Sequence, residues 1–484
     1  MLTLTLILVP AIAALLLPLL KGQGNKYAAF AAALAQLAVA LYAVSQFDPA
    51  AGTQFAFDYP WVASLGIHFS GGMDGISMLL VLLTAILVPL IILSTFGHSY
   101  ENPNAFYALI LAMESALIGV FTAQDAFLFY LFWEAALVPV YFLAAVWGGE
   151  KRIAITFKFF IYTVFGSLFM LLALVYLYFQ TPGSHSSAIQ DIYAVALDPG
   201  TQSWVFWALF IAFAVKMPIF PFHTWQPDTY TESPAPATML LSGIMLKMGI
   251  YGVIRWLLPI VPAGVAQWGT TVVILSVIGI IYGSVIAIQQ KDIKRLFAYS
   301  SFAHVGLMCA GVFSLTLKGV QGAVVQMLAH GINIVGLFFV VEIIQRRMRT
   351  RDLDRMGGIT QNSPVLTVFF MILMLGSVAL PLTNGFVGEF LLLAGIYEFN
   401  HWYGAVAGLT IILGAVYMLR MFQFVMFGQQ SNWTGKFADV TLAESAVLLP
   451  LVAMVFWMGI APGAFLRMTE PAVKQILELV ANKR

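Results

Sequence analysis

The chain has 484 residues, 61% of them hydrophobic and only 9% charged, with a mean hydropathy of +0.91. Soluble domains carry about 25% charged residues, so this composition excludes a water-soluble globular protein and places the chain in a membrane. The 23 basic and 22 acidic residues leave a net charge of +1, which offers nucleic acid or an acidic partner no attracting field. The single Cys309 excludes an internal disulfide and a Cys-ligated iron–sulfur cluster, which takes about four thiolates.

A span needs about 20 apolar residues at 1.5 Å of rise each. In chain order this predicts helices at Leu2–Leu20, Tyr27–Ser45, Met73–Leu93, Ala105–Phe121, Ala126–Val146, Ile153–Phe179 and Trp204–Phe222. Seven more follow at Ala237–Leu258, Trp268–Ile288, Leu296–Phe313, Gly322–Ile344, Val365–Phe399, Trp402–Phe427 and Leu442–Phe465. The expected fold class is therefore all-α, a polytopic membrane protein of about fourteen helices. The first stretch has no basic residues ahead of it and is followed by Lys21 and Lys26, which reads as a spanning helix and not as a cleaved leader.

Charge sidedness supports the count. Lys21, Lys26, Lys151, Arg152, Lys291, Lys294, Arg295, Arg346, Arg347, Arg349, Arg351, Arg355 and Lys436 fall after odd-numbered helices. Lys318, Arg467, Lys474, Lys483 and Arg484 fall after even-numbered ones or in the C-terminal tail. Because cytoplasmic loops carry the excess of Lys and Arg, both termini are expected on the far, periplasmic side of a bacterial inner membrane.

No composition break divides the chain, so residues 1–484 read as one transmembrane domain. The seventh helix carries Pro218 and Pro221 in its interior, and the twelfth carries Pro381. Each proline lacks an N–H and clashes with the preceding turn. Both helices are thus predicted to break. They lie five helices apart, which suggests a five-helix unit over 105–258 and again over 268–427. An odd-numbered repeat within one chain is necessarily inverted in the membrane, and inverted repeats with broken helices mark transport proteins whose sites sit near the midplane.

Ionisable residues in mid-span cost about 2.5 to 3.5 kcal/mol each on insertion scales. Glu114, Glu134, Lys216, Lys247, His304, His330 and Glu389 are placed this way. For Glu134 the alternative to a proton role is a structural ion pair. Lys216 has the alternative of capping the Ala214 carbonyl that Pro218 frees. Lys247 lies between Gly243 and Gly249, which let a neighbouring helix approach. His304 and His330 read either as relay groups, as packing residues, or as a bis-His haem site. Lys158, Arg255 and Arg420 are close enough to helix ends to snorkel, and Glu114 stays unassigned. Burial and neighbouring charge move the proton affinity of lysines and carboxylates, so a chain of them can load and release protons. A sodium path would want clustered oxygen ligands instead.

Four segments carry a resemblance: Phe132-Trp133-Glu134; Val215-Lys216-Met217-Pro218 continuing to Phe222-His223-Thr224-Trp225-Gln226-Pro227-Asp228; Leu246-Lys247-Met248-Gly249-Ile250-Tyr251-Gly252; and Asp292 to Ser301. On these, over residues 70 to 460, the chain resembles the antiporter-like membrane subunits of respiratory complex I, the proton-pumping NADH:quinone oxidoreductase, and the related multisubunit cation/proton antiporters. Within the family the twelfth helix carries lysine in the L-type and N-type branches and glutamate in the M-type branch. Glu389 and the chain length are similar to the last. The resemblance implies that Glu134 and Lys216 form an ion pair in a first half-channel, that Lys247 links it to a second, that His304 and His330 continue the axis and that Glu389 is the exit carrier. It also implies L-type and N-type subunits as membrane partners, and no cofactor in this chain, with FMN, iron–sulfur clusters, NADH and quinone belonging to the complex as a whole. A standalone cation/proton antiporter, a structural spacer and a haem-binding subunit are the alternatives. Glu114 matches no acidic position of the family pattern.

Overall fold

The computed structural model describes residues 1–20, 25–430 and 434–483; Lys21 and Arg484, two of the basic residues used above, lie outside them. Among the described residues, twelve helices are long and apolar enough to cross a membrane. The seventh and twelfth predicted helices are absent from that set because both are interrupted. α1 (Leu2–Leu16), α2 (Asn25–Ser45), α3 (Gly75–Ser94) and α4 (Pro103–Thr122) pack as a group at the N-terminal end. The fifth predicted helix bends at Ala136 into α5 (Ala126–Ala135) and α6 (Leu137–Trp147), three residues ahead of Pro139, whose missing N–H weakens the ladder there.

α7 (Arg152–Gln180) leads through the short α8 (Ile189–Ala194) to α9 (Pro199–Lys216), which stops two residues before Pro218, and α10 (Gln226–Glu232) resumes after a loop. The next span consists of α11 (Ala235–Leu240), a wide π turn over Leu241–Met245, α12 (Lys247–Gly252) and a second π turn over Val253–Leu257. It is buried along its whole length and forms the centre of the molecule. α13 (Pro262–Gln289), α14 (Ile293–Phe313) and α15 (Leu317–Met348) follow, then the broken pair α16 (Pro364–Ser377) and α17 (Asn384–Phe399), then α18 (His401–Met426) and α19 (Leu442–Ile460). At the second break Ala379 and Leu382 hold positive φ angles of 57° and 74°, a region that side-chain-bearing residues rarely enter.

A strand pair and one further helix lie outside the predicted spans. Gln54–Val62 (β1) pairs antiparallel with Ile67–Met73 (β2), with Tyr59 opposite Phe69. The alternation of Phe55, Phe57, Tyr59 and Trp61 is the period-two signal for such a strand. The other is α20 (Gly463–Asn482), a helix beyond the last predicted span whose Phe465, Val473, Ile476 and Val480 are buried. It packs on α15 and α3, where the Met468 carbonyl approaches Gly75 so closely that a Cβ there would lie 1.7 Å from it.

Candidate functional site

At the first break α9 ends on Lys216. The carbonyls loosened by Pro218 are taken up locally: the Ile219 N–H donates to Ala214 O at 2.8 Å and the Trp225 indole N–H to Val215 O at 2.9 Å. Lys216 therefore does not cap Ala214, contrary to the alternative read from the sequence. Its ammonium is buried, has no hydrogen-bond partner among the described residues and lies 5.3 Å from the centre of the Trp133 ring, within cation–π range. Glu134 follows Trp133 at the bend between α5 and α6 and is only half-buried. No salt bridge joins Lys216 to Glu134 among the described residues, although Glu134 is near enough for its charge to act on the ammonium, and the indole face is the group that Lys216 meets.

The second cluster forms a row of four side chains. Lys247 is the first residue of α12, just after the π turn, and its Nζ donates to Ser242 O at 2.5 Å and lies 3.0 Å from His330 Nδ1. The His330 ring centre is 5.8 Å from that of His304. His304 Nε2 is 3.1 Å from Glu389 Oε1 and 3.1 Å from Ser377 O, while its Nδ1 is 2.7 Å from Ser300 O. All four side chains are buried and they come from α12, α15, α14 and α17. Both His304 nitrogens face acceptors, so the ring is fully satisfied with a proton on each, opposite the Glu389 carboxylate. Lys247 donates to a ring nitrogen of His330 that offers its lone pair. His330 Nε2 has no hydrogen-bond partner among the described residues, so the row is open between the two histidines.

Polar groups that the sequence reading passed over complete this axis. Gln326 Nε2 reaches Glu389 Oε1 at 3.4 Å, and Asn333 Nδ2 donates to Asn384 Oδ1 at 3.0 Å. Ser300, Gln326 and Asn333 line, with both histidines, a cavity of about 10 Å³, about the space that one water needs. Their signal was present: Gln326 and Asn333 stand four residues before and three after His330, which puts all three on one face of an otherwise apolar helix. The glycines beside Lys247 act as the sequence suggested. A Cβ on Gly249 would lie 2.6 Å from Met217 Cβ, and one on Gly243 2.5 Å from Val335, so the span carrying Lys247 is pressed against both α9 and α15.

Three basic residues read as snorkelling divide. Arg420 is exposed, reaches Ile288 O at 3.3 Å and lies 5.5 Å over the Phe424 ring, as snorkelling predicts. Lys158 instead donates to Asp228 at 3.1 Å. Arg255 is buried and ion-paired with Asp74, because the π turn at Val253–Leu257 aims it inward at the N-terminus of α3. Glu114 is fully buried in α4 and neither carboxylate oxygen has a hydrogen-bond partner among the described residues, which removes a fixed ion pair as its purpose. Lys294, counted above as a loop residue, is buried at the start of α14.

With this geometry in place, comparison with known proteins is specific. Residues 123–414 match the family described as NADH:quinone oxidoreductase/Mrp antiporter, transmembrane. NADH-quinone oxidoreductase subunit M of Rickettsia typhi is 42% identical over 460 residues, 94% of this chain and 92% of that protein. A chain of the respiratory complex I structure from Thermus thermophilus with bound NADH superimposes with a TM-score of 0.92 at 32% identity, covering 99% of this chain and 100% of that one. A chain of the Mrp complex from a Dietzia species shares the fold, with a TM-score of 0.85 at 19% identity and 99% and 98% coverage.

Proposed function

Because this chain belongs to the antiporter-like membrane-subunit family of NADH:quinone oxidoreductase, in its subunit M branch, we propose that its buried groups carry protons across the bilayer as part of that complex. The observation that carries this reading is the row Lys247–His330–His304–Glu389, in which contacts at 3.0 and 3.1 Å flank two histidines with ring centres 5.8 Å apart, a step that one water in the cavity they share would bridge. Lys216, beside Trp133 at the α9 break, feeds the line from the Glu134 side, and Glu389 at the second break delivers to the other. The energy comes from quinone reduction in other subunits. FMN, iron–sulfur clusters, NADH and quinone are assigned to those subunits, and none to this chain. A haem between the histidines is disfavoured, since the cavity they share, about 10 Å³, has no room for a macrocycle.

The two interrupted helices, α9–α10 and α16–α17, bring the proposed crossings to fourteen and occupy equivalent places in the two inverted repeats, 105–258 and 268–427. Positive loops set the orientation: the ends bearing Lys151, Arg349 and Arg351 face the cytoplasm and both termini the periplasm. L-type and N-type subunits are the proposed neighbours in the membrane, and the activity of the whole is that of a translocase.

The test is Lys216→Arg in the intact complex. Arginine keeps the charge and the approach to Trp133 but cannot deprotonate, so proton translocation falls by about tenfold or more while assembly is retained. Wild-type proton uptake in vesicles containing the variant would show that Lys216 is a fixed charge and remove it from the path.

A further inference from the structure

Lys216 ends α9 with only 2% of its surface exposed. Its ammonium carries three N–H donors, and none of them meets an acceptor among the described residues. A cation taken out of water without acceptors is costly, so the group that faces it decides where it rests. That group is the Trp133 indole, whose ring centre lies 5.3 Å from Nζ. The negative face of an aromatic ring attracts a cation, most strongly for tryptophan and where water is excluded.

The indole is itself held in place. Its ring meets Phe213 edge to face, with centres 5.6 Å apart at 63°, and meets Phe129 at 5.7 Å. Phe213 stands three residues before Lys216 on the same face of α9, so ring and cation approach the indole together from one helix. Phe129 in turn stacks on Trp256 at 4.8 Å and 28°, and Trp256 lies in the second π turn of the central span. The same span backs Phe213, since a Cβ on Gly252 would lie 2.5 Å from its ring. Trp133 is therefore a fixed platform, braced both by the helix that carries Lys216 and by the span that carries Lys247.

Glu134, the next residue, points about 100° further around the helix. It is half-buried, and its charge reaches the ammonium without forming a salt bridge. Two neighbours in sequence thus compete for one cation. We propose that Trp133 is a positioning residue for proton transfer by Lys216: its indole holds the ammonium on the side of the central span, apart from Glu134, and releases the amine once the proton has left. The transfer balances. An N–H bond of the ammonium breaks, the proton goes to a water on the side of the central span, and the neutral amine keeps the electron pair. The ring face has no charge left to hold, so the amine is free to take its next proton from the Glu134 side, where a carboxylic O–H breaks and the carboxylate remains. The place of Lys216 thereby follows its charge.

The proposal rests on the reading that Lys216 carries a proton. Ring-fluorinated tryptophans, placed at position 133 alone by suppression of a nonsense codon in the complete complex, draw electron density from the ring face and leave its shape nearly unchanged. Proton uptake per NADH oxidised in vesicles falls with each added fluorine, to about a tenth of wild type for the most fluorinated ring. A residue that only fills space gives a flat series, and that result overturns the proposal. Trp133→Leu removes the ring face altogether and loses at least as much; wild-type uptake by this variant also overturns the proposal, and the fluorine series decides the matter if the variant fails to assemble. The same analogues at Trp402, 80% exposed, leave uptake unchanged, whereas a matching fall there would assign the loss to the analogues and overturn the role of Trp133. Lys216→Arg in the same vesicles separates the two readings. Wild-type uptake by the arginine variant removes Lys216 as a carrier, while a flat fluorine series beside a failing arginine variant removes Trp133 alone.

Discussion

Replacing Glu389 with glutamine lowers proton translocation by about a hundredfold in the assembled complex, the low end of what a positioned acid or base contributes. Glutamine is nearly the same shape and keeps an oxygen to face His304 Nε2, now 3.1 Å away, and Gln326 at 3.4 Å. What it loses is the ability to take the proton that His304 releases. The other partners of His304 are the carbonyls of Ser300 and Ser377, which bind a proton donor without accepting the proton, and the Ser300 hydroxyl at 3.5 Å, so Glu389 is its only carboxylate partner among the described residues. Glu389→Asp keeps the acid on a shorter stem, with a water bridging to His304, and retains a larger share of the flux. Proton uptake and NADH oxidation measured on the same vesicles separate the variants. Equal proton-to-electron ratios for glutamine and wild type would move the exit to another group.

Arg255→Met is expected to be the most damaging substitution for stability. Arg255 and Asp74 are both buried and ion-paired, and removing one partner of such a pair leaves the other charge stranded, at a cost of about 3 to 5 kcal/mol. Asp74 keeps some compensation, since its second role is to cap α3 by accepting from the N–H groups of Ile76 and Ser77 at 3.1 and 3.0 Å. Asp74→Ala removes both the charge partner and the cap, the latter worth about 1 kcal/mol. The surrounding contacts survive the substitution, because the Tyr193 hydroxyl donates to the backbone carbonyl of Arg255 at 2.7 Å and Lys483 near the end of α20 donates to Tyr193 O and Pro259 O. Loss of the arginine side chain thus loosens the contact between the central span and α3. The combined Asp74→Asn, Arg255→Met variant recovers part of the loss, because no unpaired charge remains. Thermal dissociation of the purified complex reads this directly, and an unchanged midpoint for Arg255→Met would show that the pair contributes nothing net.

By itself the sequence determined the membrane class, the two helix breaks and most spans, since each rests on a local quantity: the length of an apolar run, or a proline that removes one N–H. Lys216, Lys247, His304, His330 and Glu389 were legible for the same reason, as ionisable groups in stretches where a charge is costly without a purpose. The hairpin was legible too, in the alternation from Phe55 to Trp61, and was overlooked beside the stronger helical signal. Tertiary structure alone decided partnership. Glu389 meets His304 across 85 residues and Lys247 meets His330 across 83, distances over which no pattern along the chain constrains which face meets which. The same holds for Arg255, which position near a helix end made a snorkelling residue until a π turn rotated it onto Asp74. It holds again for Lys294, assigned to a loop by its neighbours Lys291 and Arg295 but buried where α14 begins. One extra residue in a helical turn rotates every later side chain, and hydropathy cannot register that rotation because it leaves the composition of the span unchanged.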